Sequence, residues 1–383
     1  MEHALAGLKV LDLTMNLPGP YMTWLLAELG AEVLKVENPQ GGDYARALAS
    51  DGEGSPVFDI VNRKKKSLTL NLKTEEGRDI FFRLLDQYDV LVEGFRPGVM
   101  ASLGLDYERA KARQPRLIYV SISGYGQDGP YRLRGGHDLN YLSLAGIIQM
   151  TGTREGVPVI PGIQIADLAA GSLLSLAGLL AAVIQRERTG RGQYVDAAMY
   201  DGSFALTAVA FSTMLAGLDR PGPGRMFLTG AFPFYHLYPA KDGRYMSLGA
   251  VEFKFWRNFC LAVGREDLVE KQFGGPEVIA EVAGVFAGRT QAEWIEFLKE
   301  VDACCEPVLP LDEAAASPLA RARGLVDRTP DGRRFLAPPL KMSGSPRPAD
   351  APPPTLGQHS AEVLGGLGFG PGEIEVLKQK GVI

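Results

Sequence analysis

The chain has 383 residues, 46% of them hydrophobic and 22% charged, a composition that is ordinary for a globular enzyme. That length exceeds what one simple core accommodates, so two domains are expected. The formal net charge of −5 argues against a general nucleic-acid-binding protein, which would carry a basic excess. The three cysteines form neither a disulfide framework nor a zinc-ligand spacing, and the N-terminus lacks a secretory pattern, so we expect a cytoplasmic protein.

The N-terminal third alternates short apolar strands with helices, the pattern of an α/β fold with a parallel, doubly wound sheet. Ligands of such sheets bind outside the carboxyl ends of the strands. The predicted strands are 8–14, 31–37, 67–72, 90–93 and 116–121, the predicted helices are 21–29 and 74–87, and glycine- or charge-rich segments follow strands at 38–43, 93–98 and 124–130.

Residues 168–184 are almost entirely apolar or small, which raises the question of a membrane span. Asp167 precedes this stretch, Arg186 follows it, and glycines and serines interrupt it. We therefore predict a buried helix at the centre of the large domain and no membrane partner.

The pattern changes after about residue 217, where Pro221-Gly-Pro-Gly indicates a linker or an exposed loop. Two strand patterns around Asp242-Gly243 predict a hairpin, and helical patterns follow near 253–263 and 291–299. A Pro- and Ala-rich strap at 338–354 precedes short helices at 362–367 and 372–379. The predicted organisation is a large domain over 1–220, a smaller α+β domain over 225–330, and a C-terminal return to the large domain over 331–383.

Standard nucleotide fingerprints are missing, since neither GxGxxG after the first strand nor GxxxxGK[ST] occurs. Two segments still suit phosphate groups. The basic run at 62–66 is either a solvated surface patch or a means of capturing a polyphosphate. Arg96, between glycine and proline just after a strand, lies on a predicted rigid turn that suits a phosphate grip.

Three motifs each supply an acid/base group. Gly135 to Tyr141 (GGHDLNY) carries His137, 165–171 (IADLAAG) carries Asp167, and 249–252 (GAVE) carries Glu252. Taken singly, these residues also fit a packed histidine, a helix N-cap and a surface helix start. A histidine and a carboxylate on opposite faces of one carbon are what a proton-shuttling isomerase needs, whereas a carboxylate alone can be a nucleophile.

Several long motifs in a fixed order carry a resemblance to a known family. They are GLKVLDL from Gly7, LGAEVLKVE from Leu29, VEGFRPG from Val92, SGYGQDGP from Ser123, TGRGQYVDAAM from Thr189 and DACCEPVL from Asp302. The chain resembles the class III CoA-transferase (CaiB/BaiF) family over nearly its whole length, and within it the α-methylacyl-CoA racemases. The resemblance implies a large Rossmann-like domain joined by two linkers to a smaller one, in a homodimer of interlocked rings.

The resemblance also implies an acyl-CoA substrate, with coenzyme A as part of the substrate and no permanently bound cofactor, metal or nucleic-acid partner. Racemases carry an arginine where this chain has Asn38, so Arg63 or Lys64 is expected to compensate. The residues implied to contact CoA are Arg63, Lys64, Leu70, Asn71, Leu72, Lys73, Glu93, Gly94, Phe95, Arg96, Gly98, Gly136, Asp138, Asn140 and Tyr141.

By this resemblance, His137 and Asp167 match the two bases of a racemase acting on 2-methylacyl-CoA, and Glu252 matches the carboxylate that holds the histidine. Backbone amides near Asp167 are expected to stabilise the enolate. The alternative is a CoA-transferase that forms an aspartyl-CoA thioester on Asp167. Transferases usually have an aromatic residue at the His137 position and no acid at the Glu252 position.

Two features point away from the racemases: 35–43 (KVENPQGGD) looks more like the transferases, and Phe253-Lys-Phe replaces an expected Pro-Gln-Phe. We favour the racemase and keep the transferase open. A third hypothesis, a CoA-binding protein without catalysis, is opposed by the retained trio of His137, Asp167 and Glu252.

Overall fold

The computed structural model describes residues 2–49, 54–218, 220–329 and 332–383. Eleven strands within these ranges are β1 (Lys9–Leu13), β2 (Glu32–Glu37), β3 (Lys66–Thr69), β4 (Val90–Glu93), β5 (Ile118–Ser123), β6 (Tyr194–Ala198), β7 (Tyr235–Pro239), β8 (Tyr245–Gly249), β9 (Cys305–Pro307), β10 (Val326–Arg328) and β11 (Arg334–Leu336). The first five confirm the predicted strands to within a few residues. The sixth, with the sequence YVDAA, was missed because it is short and contains an aspartate.

The α-helices are α1 (Pro18–Glu28), α2 (Pro56–Asn62), α3 (Glu75–Leu85), α4 (Val99–Leu103), α5 (Tyr107–Arg113), α6 (Asp138–Leu144), α7 (Ile147–Met150), α8 (Leu174–Thr189), α9 (Met199–Ala205), α10 (Ala208–Leu215), α11 (Phe253–Ala262), α12 (Pro276–Phe286), α13 (Gln291–Leu298), α14 (Leu311–Ala316), α15 (Pro318–Arg323), α16 (Ser360–Gly366) and α17 (Pro371–Gln379). A π-helical segment, Ala166–Leu173, leads directly into α8. Short 3₁₀ turns occur at Tyr44–Ala47 and Glu266–Lys271.

The chain divides into two compact units. Unit 1 comprises Met1–Ala145, Gly162–Leu206 and Asp327–Ile383, and unit 2 comprises Gly146–Pro161 and Thr207–Val326. Compared with the ranges expected from sequence, residues 146–161 and 207–220 pack with the smaller unit. Contacts of Arg154 account for part of this, since its carbonyl accepts a hydrogen bond of 3.4 Å from Arg225. The expected boundary at 330–331 lies outside the described residues.

Unit 1 is built on a six-stranded parallel sheet with the order β3-β2-β1-β4-β5-β6. Alternate side chains of each strand enter two different cores. Val10 and its neighbours Val33 and Val90 pack with helices α1 and α8. Leu11 and its counterparts pack with α3, α16 and α17, so the C-terminal helices return to the large unit.

Unit 2 contains a three-stranded antiparallel sheet, β7-β8-β9, with an aromatic core. The predicted hairpin is present, and Gly243 in its turn has a φ of 77°, which glycine adopts without strain. Tyr238 and Phe286 stack with their ring centroids 4.8 Å apart. Trp256 and Trp294 are completely buried nearby. Aromatic packing therefore supplies much of the apolar area that stabilises this unit.

The long apolar stretch is helical, but it is less buried than the sequence suggested. Residues Ala166–Thr189 are long and apolar enough, by length and composition alone, to cross a membrane, a property that core helices share. In the isolated chain 39% of the most apolar window is buried. Leu173, Leu174 and Ile184 are 47%, 45% and 56% exposed, so no element among the described residues covers this face.

Candidate functional site

A pocket of about 590 Å³ lies in unit 1, where residues following β1, β4 and β5 meet. In the sheet order, β1 lies between β2 and β4. The chain connection that follows β1 and the one that follows β4 therefore lead to opposite sides of this point. Open α/β sheets bind ligands at such switch points. Its lining residues are Thr14, Met15, Asn16, Pro18, Gly19, Tyr44, Gly94, Phe95, Arg96, Pro97, Ile122, Ser123, Gly124, Tyr125, Arg132, Arg134, Gly135, Gly136, His137, Asn140, Tyr141, Asp167 and Met199.

Buried charges hold the pocket wall that follows β1. Asp43 accepts a hydrogen bond of 2.9 Å from the Asn16 amide and pairs at 2.8 Å with Lys35, and both side chains of this ion pair are fully buried. Lys35 also donates to the Thr14 carbonyl at 2.8 Å. These contacts fix Asn16 at a φ of 65°, a left-handed conformation that asparagine tolerates better than most residues.

A second wall is formed where two glycines allow Tyr141 to approach the backbone. The Tyr141 hydroxyl donates to the Gly136 carbonyl at 2.6 Å. A Cβ atom on Gly124 would lie 2.6 Å from that hydroxyl, and one on Gly136 would lie 2.8 Å from the ring. Tyr125 meets Tyr141 edge to face, with the centroids 5.0 Å apart. This wall accordingly requires glycine at both positions.

His137 is exposed at the pocket and precedes the first residue of α6. Its backbone is extended, and its amide donates a 3.0 Å hydrogen bond to the Asn140 side chain. The bond orders the start of the helix, and His137 lines the pocket. His137 and Asn140, both predicted from sequence, therefore line the same cavity.

Asp167 lines the same pocket from the second residue of the π-helical segment. Such segments are rare and occur often at functional sites. Burial, and next the nearby charge of Asp138, raise the pKa of the Asp167 carboxyl to about 7. Asp167 does not cap this helix, contrary to one expectation, because Asp138 accepts from the amides of Ala166 and Asp167.

The pocket has a cationic side that sequence reasoning missed in part. Arg96 was predicted, but Arg132 and Arg134 were not. A pair of arginines two residues apart, just before Gly135-Gly136-His137, was the available signal. Asp167 is the one carboxylate among the described lining residues, so the three arginines give the pocket an excess of positive charge. Arg134 lies over the Tyr131 ring, 3.9 Å from its centroid, which restrains its guanidinium.

Arg63 and Lys64 are engaged within unit 1. Arg63 pairs with Asp350 and lies 3.8 Å from the centroid of the Phe335 ring. Lys64 pairs with Glu28 at 2.5 Å, and both of these side chains are at most 5% exposed. Both cations therefore already have partners within this unit. Their assignment to CoA remains a prediction.

The other predicted CoA contacts divide into two groups. Gly94, Phe95, Arg96, Gly136 and Tyr141 line the pocket together with Asn140. Outside its described lining are Arg63, Lys64, Leu70, Asn71, Leu72, Lys73, Glu93, Gly98 and Asp138.

Two of the residues outside the lining have structural contacts of their own. Asn71 donates its amide to the Val382 carbonyl at 2.7 Å, which ties the C-terminus to β3. Glu93 is 4% exposed and accepts from the Phe95 amide at 2.8 Å. Burial raises the pKa of Glu93 to about 7. Both residues therefore support neighbouring backbone, and their contact with CoA stays a prediction.

Glu252 belongs to unit 2, where it immediately precedes α11. Its side chain is exposed and makes no capping hydrogen bond, while its carbonyl accepts from the Phe255 amide at 3.0 Å. The expected partnership between Glu252 and His137 thus stays a prediction. Among the described residues, no group of three or more His, Cys, Asp or Glu side chains is placed to hold a metal ion.

Known proteins are similar to this chain over most of its length. The family model for CoA-transferase family III matches residues 5–360. The human alpha-methylacyl-CoA racemase is 34% identical over 385 residues, covering 99% of this chain and 97% of the relative. The succinate–glutarate CoA-transferase of Agrobacterium fabrum is also 34% identical, covering 95% of each chain.

Solved structures agree with the sequence comparison. The crystal structure of a CAIB/BAIF family protein from Brucella suis superposes with a TM-score of 0.82 at 30% sequence identity, covering 96% of this chain and all of that one. The family resemblance inferred from the motifs is confirmed, and so is an α/β fold with a parallel sheet, although its sixth strand was not predicted. By the extent of these matches, the chain is a member of CoA-transferase family III, an enzyme family that includes both racemases and CoA-transferases.

Proposed function

We propose that the protein epimerises the α-carbon of 2-methylacyl-CoA thioesters by 1,1-proton transfer. The observation that carries this proposal is the presence of His137 and Asp167 on one pocket, together with a pKa of about 7 for the Asp167 carboxyl. A group with a pKa near neutrality exists in both protonation states at physiological pH, which suits general acid–base catalysis. The racemase among the relatives favours the same chemistry.

The reaction balances with two proton transfers. Neutral His137 takes the α-proton of one enantiomer, and the electron pair of the broken C–H bond enters the thioester enolate. Protonated Asp167 then gives its proton to the opposite face of the same carbon. The opposite enantiomer reacts in reverse, with ionised Asp167 as the base and protonated His137 as the acid. No oxidant, reductant or acceptor acid takes part.

The enolate oxygen needs hydrogen-bond donors, each contributing about 2.7–4 kcal/mol to transition-state stabilisation. The amides nearest Asp167 were the expected donors, but those of Ala166 and Asp167 donate to Asp138, and that of Leu168 donates to the Gln164 carbonyl. We therefore withdraw these three amides from that role. Other N–H groups of the pocket wall must polarise the thioester.

For the CoA moiety, we propose that Arg96, Arg132 and Arg134 attract its phosphates, since they supply the positive side of the pocket. Gly94 and Phe95, beside Arg96, lie at the carboxyl end of β4, where the backbone can contact the ligand. Glu252 is proposed to hold His137, on the basis of the racemase resemblance alone.

A CoA-transferase is the second candidate. Asp167 is the one carboxylate among the described lining residues, as the aspartyl-CoA mechanism requires. The ionised carboxylate would attack the acyl carbonyl and release CoA as a thiolate. The thiolate then attacks the Asp167 carbonyl of the mixed anhydride, which releases the original acyl group as a free carboxylate and leaves an aspartyl-CoA thioester. The succinate–glutarate transferase among the relatives favours this chemistry. A CoA-binding protein without catalysis is the third hypothesis.

We propose, from the family resemblance, that the functional form is an interlocked homodimer. The exposed apolar face of α8, with Leu174 45% and Ile184 56% exposed, supports burial against a second copy. Sedimentation or light scattering tests this independently of catalysis.

The deciding experiment incubates the purified protein with (S)-2-methylacyl-CoA in deuterated water, without an acceptor acid. The α-proton is followed by NMR. Deuterium at the α-carbon, with formation of the R form, is the expected result. A protein that leaves the α-proton unexchanged but forms aspartyl-CoA, trapped on Asp167 with hydroxylamine or borohydride in the presence of carboxylic acids, is a transferase. A protein that binds CoA but gives neither product supports the third hypothesis.

A further inference from the structure

The Asp138 side chain is directed at the start of the helix that carries Asp167. Its Oδ1 atom accepts hydrogen bonds from the backbone amides of Ala166 at 2.6 Å and of Asp167 at 3.1 Å. The first amides of a helix have no partner inside the helix. The preceding residue, Ile165, has a helical backbone and offers no capping side chain. Asp138 therefore supplies, from 28 residues upstream, the cap that the local sequence lacks.

The position of Asp138 in α6 couples the two acid/base residues. It directly follows His137 in the chain, and its side chain reaches the segment of Asp167. Asp138 thus connects the two pocket residues. It is bonded to His137 in the chain, and its side chain accepts two hydrogen bonds at the start of the Asp167 segment. Asp138 itself is not among the described residues that line the pocket.

Other titratable groups lie on the elements packed against the Asp167 segment, namely α1, α6, α8, α9 and β6. Tyr141 of α6 faces Asp167, since the Asp167 charge contributes to raising the tyrosine pKa. Tyr21 of α1 has a pKa raised by burial alone. Asp201 of α9 has a pKa raised by burial and by Asp128.

Two further ionisable groups on these elements have other neighbours. The carboxyl of Asp196, on β6, has a pKa raised first by burial and then by Asp201 and Asp128. Arg186, in the last turn of α8, pairs with Asp89 at 3.0 Å. Asp138 is the charge that, after burial, raises the pKa of Asp167.

We infer that Asp138 is a positioning residue, which clamps the first turn of the Asp167 helix and so fixes where the Asp167 carboxyl enters the pocket. The family resemblance had placed Asp138 among the CoA contacts, which stays a prediction, and its Oδ1 atom accepts from two amides. The inference rests on the proposed function in one respect, which is that Asp167 is the reacting group. The racemase and the transferase mechanisms both use Asp167 in this way. The negative charge of Asp138 also favours the protonated form of Asp167 at neutral pH.

Two variants distinguish the effect of the Asp138 hydrogen bonds from the effect of its negative charge. Asp138→Asn keeps a side-chain oxygen that can accept from both amides but removes the negative charge. Asp138→Ala removes both. The matched control is Asp106→Asn, because Asp106 is also an aspartate of unit 1 that caps a helix, accepting from the Arg109 amide at 3.2 Å, outside the pocket lining.

The primary measurement is an NMR titration of ¹³C-labelled aspartate carboxyl groups in the full-length protein without substrate, with Asp167→Asn used to assign the Asp167 signal. In Asp138→Asn, the Asp167 pKa is expected to fall by roughly one unit. Asp106→Asn is expected to leave it unchanged. Because no substrate is present, this readout is independent of whether the wild-type protein racemises or transfers.

The kinetic readout uses α-deuterium incorporation, or hydroxylamine trapping if the wild type proves to be a transferase. In Asp138→Ala we expect kcat to fall about tenfold or more with KM nearly unchanged, because a misplaced group loses rate rather than CoA affinity. Asp138→Asn is expected to retain more kcat than Asp138→Ala, with its pH profile moved to lower pH.

Two results overturn the inference. One, an Asp167 titration that is the same in Asp138→Asn and wild type, overturns the effect of the Asp138 charge on Asp167. The other, an Asp138→Ala variant in which KM rises and kcat is retained, overturns the positioning role in favour of a CoA contact. If Asp138→Ala does not fold, rapid hydrogen exchange of the Ala166 and Asp167 amides in the wild-type protein overturns the clamp. A wild type without any turnover contradicts the proposed function but leaves the titration valid.

Discussion

The Asp138 carboxylate accepts a 3.1 Å hydrogen bond from the backbone amide of Asp167, 29 residues further along the chain. The contact joins the helix start that carries His137 to the helix start that carries Asp167. Both side chains therefore depend on the same local packing, although they come from separate sequence motifs.

Replacing His137 with alanine is expected to lower α-proton exchange by about 10²–10⁴-fold, because the general base for one enantiomer is lost. The loss should be in kcat, with CoA affinity within a few-fold of wild type. Deuterium incorporation by NMR and CoA binding by calorimetry are the measurements. His3→Ala is the control, since His3 lies outside the pocket lining and contacts the Pro346 carbonyl at 2.8 Å. Full exchange by the His137 variant would exclude this residue as the base.

Asp167→Asn is expected to be inactive yet more stable than the wild type at pH 8. The pKa of Asp167 is raised from 3.8 to about 7, so the folded protein binds more protons than the unfolded chain between these values. The stability contributed by its protonated form is present at low pH and is lost as the pH rises towards 7. We expect a gain on the order of 2 kcal/mol in unfolding free energy for the variant at pH 8, after allowance for solvent screening.

Urea unfolding at pH 5 and pH 8 checks this prediction. The difference between Asp167→Asn and wild type should be smaller at pH 5, where the wild-type carboxyl is largely protonated. The exposed Glu300→Gln variant is the control and should shift stability little at either pH. A variant that is equally stabilised at both values would contradict a titration origin.

Asp43→Ala is expected to destabilise the protein by about 3–5 kcal/mol, because the fully buried Lys35 loses its ion-pair partner at 2.8 Å. The same change removes the acceptor of the Asn16 amide, so the pocket wall should also loosen. Denaturant unfolding measures the first effect, and CoA affinity measures the second.

The matched control for Asp43→Ala is an ion pair at the surface. Asp86 pairs with Arg113, with side chains 40% and 50% exposed, so Asp86→Ala should change stability by about 0–1 kcal/mol. Similar losses in the two variants would mean that burial of the Lys35–Asp43 pair has no energetic consequence.

Gly124→Ala is expected to weaken CoA binding and destabilise the protein by about 1–3 kcal/mol, as overpacking does. The added Cβ would lie 2.6 Å from the Tyr141 hydroxyl, so Tyr141 must move and its bond to Gly136 must change. Gly162→Ala is the control, because its Cβ would have no atom within 4 Å. Melting temperature and CoA calorimetry report the two effects. Equal behaviour of both variants would show that Tyr141 has room to shift.

Local sequence patterns were sufficient for most of the sheet and for the hairpin. Strands β1 to β5 are short apolar runs bounded by turn residues, so the local sequence is enough to recognise them. The hairpin was predicted because Asp242-Gly243 specifies its turn. Strand β6 and the short helix α6 were missed, since five to seven residues with mixed polarity carry little periodic signal.

The sequence also pointed to the two acid/base candidates that line the pocket, because GGHDLNY and IADLAAG are distinctive motifs. The arginines at 132 and 134, and the wall after β1, were not found. Their place in the pocket depends on which loops the parallel strands bring to one edge, and loop residues carry no mark of that proximity.

By itself the sequence determined the family, the α/β sheet, and His137 and Asp167 as the reacting candidates. Tertiary structure decided the raised pKa of Asp167 and the hydrogen-bond partners of Asp138. Both depend on burial and on a charge 29 residues away, and these are properties of three-dimensional packing. It also decided that Arg63 and Lys64 are paired with carboxylates of the same unit, since electrostatic partners are set by distance in space rather than by position in the chain.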